Sequence, residues 1–119
     1  MPFKALLNRL LEDIPGAVGA IIVDWEGESV DQVARVDDYD IKVLGAHSGI
    51  VLGFLREALS RLESGNLEEL VFRAGQNKIL LAPLTEEYVL IVQLGPTAIA
   101  ARASYKMGNC VAELRDQFI

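Results

Sequence analysis

The 119-residue chain has one cysteine, one histidine and one tryptophan. A lone thiol cannot close an internal disulfide, so a reducing compartment is the simpler expectation. Metal sites want several His, Cys or carboxylate ligands at defined spacing, and His47 and Cys110 lie far apart in the chain. There is no Gly-x-x-x-x-Gly-Lys-Ser/Thr phosphate loop, and Gly16 and Gly19 do not make a dinucleotide fingerprint. The formal net charge is −6, and the 11 Lys and Arg are scattered, which leaves no electrostatic footprint for nucleic acid. No apolar run approaches the ~20 residues a membrane-spanning helix needs. Met1-Pro2-Phe3-Lys4 runs directly into an amphipathic pattern with Arg9, Glu12 and Asp13, without the look of a secretory signal. These absences predict a cytoplasmic protein without metal or cofactor, and a binding role rather than an enzymatic one.

What is present suits one domain over residues 1–119, with 51% hydrophobic residues for a core. Phe3, Leu6, Leu7, Leu10, Leu11 and Ile14 follow a helical stripe that Pro15-Gly16 ends. Residues 17–24 (AVGAIIVD) are apolar on both alternating faces and read as a central strand. A turn at Trp25-Glu26-Gly27-Glu28 leads to a more exposed edge strand at 29–36. A long helix is expected over roughly 40–64, capped by one of Asp37, Asp38 and Asp40 and stopped at Gly65-Asn66. Strands at 68–74, 78–84 and 87–94 follow, the last central. Gly95-Pro96-Thr97 opens a final helix whose buried stripe holds Ile99, Ala103, Met107, Cys110, Val111, Leu114 and Phe118. The order α-β-β-α-β-β-β-α, with hairpin-length connections, implies an α+β fold around an antiparallel sheet.

Few residues point to chemistry. His47 lies toward the apolar side of the long helix and reads as a structural or interface residue, with a ligand or switch role as the alternative. Cys110 falls on a buried stripe and reads as a small core residue. The acidic triplet lacks the spacing of a calcium loop, and Glu63, Glu68 and Glu69 read as a solvated rim. Trp25, on a hairpin tip, either anchors an interface or folds its ring over the first helix.

Three glycines, Gly45, Gly49 and Gly53, stand four apart inside the long helix. Each should destabilise a helix interior by ~1 kcal/mol relative to alanine, so something must approach the backbone closely. On a wheel starting at Ile41 they fall at about 40°, 80° and 120°. They form a bare column beside an apolar arc that runs from Ala46 and Ile50 through Phe54, Val51 and Leu55 to Leu59. The column either marks a seam with a second chain or lets the helix sit close on its own sheet.

The opening helix, Ile14-Pro15-Gly16-Ala17-Val18-Gly19-Ala20, the hairpin Val23-Asp24-Trp25-Glu26-Gly27, the small-residue-rich helix and the closing three strands and helix together resemble the Roadblock/light-chain-seven family. The resemblance spans essentially the whole chain. It implies a profilin-like α/β/α sandwich with a central five-stranded antiparallel sheet. It also implies a homodimer in which the central helix packs on its mate and the third strand continues the sheet. Family members scaffold larger assemblies or regulate small Ras-like GTPases, and prokaryotic MglB-type members stimulate GTP hydrolysis by a polarity GTPase. The resemblance favours the seam for the glycine column.

The leading expectation is therefore a non-enzymatic homodimeric module that regulates or scaffolds a small Ras-like GTPase. Dimer contacts are expected at Gly45, Gly49, Gly53, Ala46, Ile50, Leu70, Val71, Phe72 and Arg73. Partner contacts are expected at Lys42, Arg56, Ser60 and Trp25. A small-molecule-sensing domain of similar architecture and a purely structural scaffold subunit are the alternatives. The sensor would need a polar-lined cavity, and the expected core of Leu, Ile, Val and Ala looks filled.

Overall fold

Strand β1 (Ala17–Asp24) is apolar at every position but the last, because it is covered on both faces. The computed structural model describes residues 2–62 and 65–118. Helix α1 (Pro2–Asp13) precedes β1 and buries Phe3, Leu7, Leu10 and Leu11 on one stripe. β2 (Ser29–Ala34), α2 (Asp38–Ser60), β3 (Leu70–Ala74), β4 (Asn77–Pro83), β5 (Tyr88–Leu94) and α3 (Ala100–Asp116) follow in that order. The five strands form one sheet in the order β2-β1-β5-β4-β3, and every paired neighbour is antiparallel. The expected α+β order and five-stranded antiparallel sheet are the observed ones, with β5 inside the sheet and β2 and β3 at its edges.

The sheet separates two cores. Alternate residues of β1 and β5, such as Ile22, Leu90 and Val92, pack with α1 and α3. The others, such as Ile21, Val23, Val89 and Ile91, pack with Ile41 and Leu52 of α2. The α1–α3 layer is closed by an aromatic stack: Phe118 lies 4.9 Å from Phe3 and 4.7 Å from Tyr88 between ring centroids. Phe118 falls just beyond α3, so its expected place in the core comes from the turn after the helix. Ile99, expected on the same buried stripe, is the exposed N-cap of α3 instead.

Helix α2 faces the sheet with Ile41, Gly45, Ser48, Gly49 and Leu52. This corrects the seam expectation for the glycine column. A Cβ on Gly45 would stand 3.0 Å from Ile21 and 3.1 Å from Val23, and one on Gly49 would stand 3.1 Å from Val23. The column faces the chain's own β1, because branched strand side chains fill the space that helix side chains would take. Gly53 continues it toward the hairpin tip, where its nearest neighbour is the Trp25 ring.

Boundaries differ by a few residues. Asp37 supplies the expected cap: its carboxylate accepts the Tyr39 N–H at 2.7 Å. The helix ends at Ser60, earlier than expected, with the Arg61 and Leu62 N–H groups tightening the last turn onto Ala58 and Leu59 carbonyls. Residues 63 and 64 of the expected helix, and Glu63 of the expected acidic rim, lie outside the described residues. β2 stops at Ala34 and β3 begins at Leu70, two residues inside the expected limits of each.

Cys110 is buried in the α1–α3 layer, as its stripe implied. Burial pushes its thiol from an ordinary value of 9.0 up to about 11; the Glu113 carboxylate acts in the same direction and Arg9 partly offsets it. The folded state thus holds the proton more tightly than the unfolded chain. Below pH 9 the thiol is neutral in both states and contributes no pH dependence. Between about pH 9 and about 11 the unfolded chain loses its proton first, so stability falls, by ~2–3 kcal/mol in total. Denaturant titrations at pH 8 and pH 11 should show that loss in the native chain and a correspondingly smaller one in Cys110→Ala.

Candidate interaction site

With the glycines turned inward, the opposite face of α2 is turned outward. The helical repeat puts Ile50, Val51 and Phe54 there, and they are 45%, 55% and 72% exposed. His47 stands among them. Leu44 and Leu55 are half-buried, Leu44 against the core on the α2 side of the sheet. Outward-facing apolar side chains in adjacent turns are unusual on a helix that already buries its other face.

Strand β3 extends this surface. Phe72 is opposite Ile79 and Leu70 opposite Leu81, so both share the α2 side of the sheet. Val71, opposite Leu80, and Arg73, opposite Lys78, take the α3 side. Apart from half-buried Leu70, every residue of β3 is exposed. Among the described residues only β4 pairs with β3, so its outer N–H and C=O groups line a bare edge.

The other edge is built differently. Asp31 of β2 is opposite Ile22, on the α1 side, where its side chain is only 11% exposed and sits 3.6 Å from Lys4 Nζ. An inward-pointing charge on an edge strand discourages further pairing, and so does the register shift between Ile22 and Val23. β3 carries neither device.

At the other flank of α2 the β1–β2 hairpin is clasped to the helix. Its tip is tied by the Asp24 carboxylate, which accepts the Glu26 and Glu28 N–H groups at 2.9 Å. Gly27 has φ of 90°, and a Cβ there would stand 2.9 Å from the Ala46 carbonyl oxygen. Trp25 lies over Gly53, so its ring folds onto α2 and not onto α1. Arg56 covers that ring, its guanidinium carbon 4.3 Å from the centroid. The same guanidinium donates to the Glu86 carboxylate at 3.0 Å and to the Glu86 carbonyl at 3.3 Å, on the β4–β5 hairpin.

The expected site residues fall into distinct groups. Ile50, Leu70 and Phe72 border the uncovered surface on the α2 side, and Val71 and Arg73 are on the same edge strand but the opposite sheet face. Ala46 is half-buried under Gly27, and Gly45 and Gly49 are inside. Trp25, Arg56 and Ser60 come together around an open concavity of about 300 Å3, with Gly53 and Glu57. Lys42 is exposed on the first half of α2 and does not line it. Arg56 is engaged with Trp25 and Glu86 of its own chain, and the Ser60 hydroxyl donates to the Glu57 carbonyl at 2.7 Å. Val51 and Phe54 were legible as part of the apolar arc, although not as exposed contacts. Glu86, the partner of Arg56, had no sequence signal at all.

Among the described residues, no group of three or more His, Cys, Asp and Glu could hold a metal ion. No described helix is long and apolar enough to cross a membrane. Another open concavity, about 480 Å3, lies between Arg56, Leu67, Glu86 and Arg115.

A family model described as Roadblock/LC7 domain matches residues 4–94. A comparison with curated protein sequences finds no match. Among solved structures, Myxococcus xanthus MglB superposes with a TM-score of 0.88 at 14% identity, covering 99% of this chain and 95% of that one. A Roadblock/LC7 domain from Streptomyces avermitilis gives 0.86 at 19% identity, covering 96% and 95%. MglC from Myxococcus xanthus gives 0.70 at 20% identity, covering 98% and 99%. At these identities the structural likeness concerns the fold.

Proposed function

Because the chain belongs to the Roadblock/LC7 family, we propose that it is a homodimeric module that binds and regulates a small Ras-like GTPase. Stimulation of GTP hydrolysis is one form such regulation takes in this family, and docking as a scaffold is the other. The observation that carries the reading is the uncovered apolar face of Ile50, Val51 and Phe54 on α2, with Phe72 of the bare β3 edge on the same side of the sheet. A second copy related by a two-fold axis fits both halves at once. Its β3 can pair antiparallel with this β3, and its α2 can cover this α2. MglB is also described in a tetrameric arrangement, which accords with self-association in a relative of the same fold.

In such a dimer the two α2 helices lie side by side, and the clasped hairpins flank them. The Trp25–Arg56–Ser60 concavity remains open beside the seam, on the hairpin flank, as a partner contact. Lys42 would meet the partner separately.

The direct test uses the small Ras-like GTPase encoded nearest this chain's gene. GTP turnover is measured with and without the chain, and binding is measured with GDP and with a non-hydrolysable GTP analogue. Nucleotide-dependent binding is the expected result, with or without faster turnover. An unchanged rate together with no nucleotide-dependent binding would sink the regulator reading.

A further inference from the structure

At the end of the sandwich where α2 and α3 both finish, the concavity of about 480 Å3 is walled by two arginines, Arg56 and Arg115. Between them runs the β4–β5 turn. In a chain of formal net charge −6, two guanidiniums around one opening are an exception. We propose that this concavity binds an acidic segment of a partner protein, whose carboxylates replace Glu86 on Arg56 and pair with Arg115. The site uses neither the outer face of α2 nor β3, and so goes beyond the pairing of two copies.

Both guanidiniums are held in place before any partner arrives. Arg115 donates through Nε to the Leu84 carbonyl at 2.7 Å and through one Nη to the Pro83 carbonyl at 3.0 Å. Those acceptors are neutral, so the positive charge is not cancelled. Its other Nη makes no hydrogen bond among the described residues and keeps its donors. Arg56 is fixed by the Trp25 ring beneath it and by the Glu86 backbone carbonyl. The side-chain ordering that binding normally costs is thus largely done.

Glu86 shows which chemistry the site takes. Its carboxylate accepts from Arg56 at 3.0 Å, yet its side chain is 93% exposed. An ion pair that exposed holds weakly. A carboxylate from a partner can take the same position while Glu86 turns into water. The other acids nearby are engaged or border other openings. Glu57 pairs with Arg61 and lines the concavity beside Trp25. Glu69 accepts from Ser104 and, with Glu68, borders a groove on the far side of Arg115. Among the described residues, no carboxylate lies within 4.0 Å of Arg115. Leu67 and Pro83 stand beside the charges in an open concavity. That mixture suits a segment with acidic and apolar side chains better than a compact anion.

The probe is a Glu-Leu-Leu-Glu peptide, blocked at both ends and titrated into the full chain at about 0.15 M salt. Trp25 is the single tryptophan and carries Arg56 on its ring, so its fluorescence reports the site. The expected result is a Kd of ~1 mM or below, with no binding of the Gln-Leu-Leu-Gln counterpart. Arg115→Gln should raise Kd at least ~5-fold. Glu86→Gln should lower it about 3-fold, beyond any gain in Glu12→Gln, which removes the same charge from exposed α1. Far-UV circular dichroism checks the fold of each variant. A weaker native Kd, or equal binding of the glutamine peptide, overturns the inference. A smaller loss in folded Arg115→Gln takes that residue out of the site and overturns it too. If Arg115→Gln does not fold, the Glu86 and Glu12 variants decide. Glu86→Gln no tighter than Glu12→Gln overturns the exchange at Arg56. Inorganic phosphate that displaces the peptide at equal concentration makes this a phosphate site and overturns the acidic segment.

Discussion

Gly45→Leu should lower the thermal midpoint by roughly 10 °C, corresponding to ~3 kcal/mol of lost stability, without first separating two chains. A Cβ alone at Gly45 meets Ile21 and Val23 at 3.0–3.1 Å, and a leucine adds three further carbons in the same gap. Neither strand residue can retreat. Ile21 and Val23 are fully buried between β2 and β5, in the centre of the sheet. The helix must therefore lift from β1, exposing Ile41 and Leu52 with it. Thermal melts and sedimentation measured on the same sample distinguish this from a seam. A variant that melts like the native chain but sediments as a monomer would return the glycines to an intermolecular contact.

The second large effect is the mirror image. Phe54→Asp is expected to abolish dimerisation while leaving the fold unchanged. Phe54 is 72% exposed, so its loss removes little from the chain's own core. In the proposed dimer it is present twice, and each copy would place a carboxylate in the apolar centre of the seam. Two hot-spot losses of ~2 kcal/mol each raise Kd by about 1,000-fold. Light scattering should report a monomer mass and circular dichroism an unaltered helix content. A retained dimer would show that α2 does not form the seam. The pair of variants thus separates the two faces of one helix: stability on one, association on the other.

Much of this fold was legible because burial and periodicity agree in it. β1 has apolar residues on both alternating faces, and its limits came out at Ala17 and Asp24 without error. The caps and turns were also readable, since Asp37 and Gly27 are chemically suited to them. α2 was harder to read. Its apolar residues surround most of the helix, so hydrophobicity alone could not say which side meets the sheet. The glycines held the answer, but a glycine column fits a partner helix as well as a strand. Only the branched side chains of Ile21 and Val23, distant in sequence, decide between them. The same non-locality hid Glu86, which meets Arg56 from a hairpin thirty residues away. Trp25 was ambiguous for a related reason: its ring finds Gly53, and a missing side chain is easy to overlook as a binding place.

The unequal edges of the sheet set a limit on assembly size. A sheet with two receptive edges can add copies without end, as fibres do. Here β3 is bare and apolar, whereas β2 has Asp31 turned inward beside α1. A copy that joined through β3 would leave only a β2 edge at each extremity. In the proposed dimer the chain would have, in effect, a valence of one, and strand addition would stop at a closed pair. Removing the charge, as in Asp31→Val, would take away one of the two devices that close the β2 edge and move the protein toward filaments, with only the register shift between Ile22 and Val23 left to oppose them.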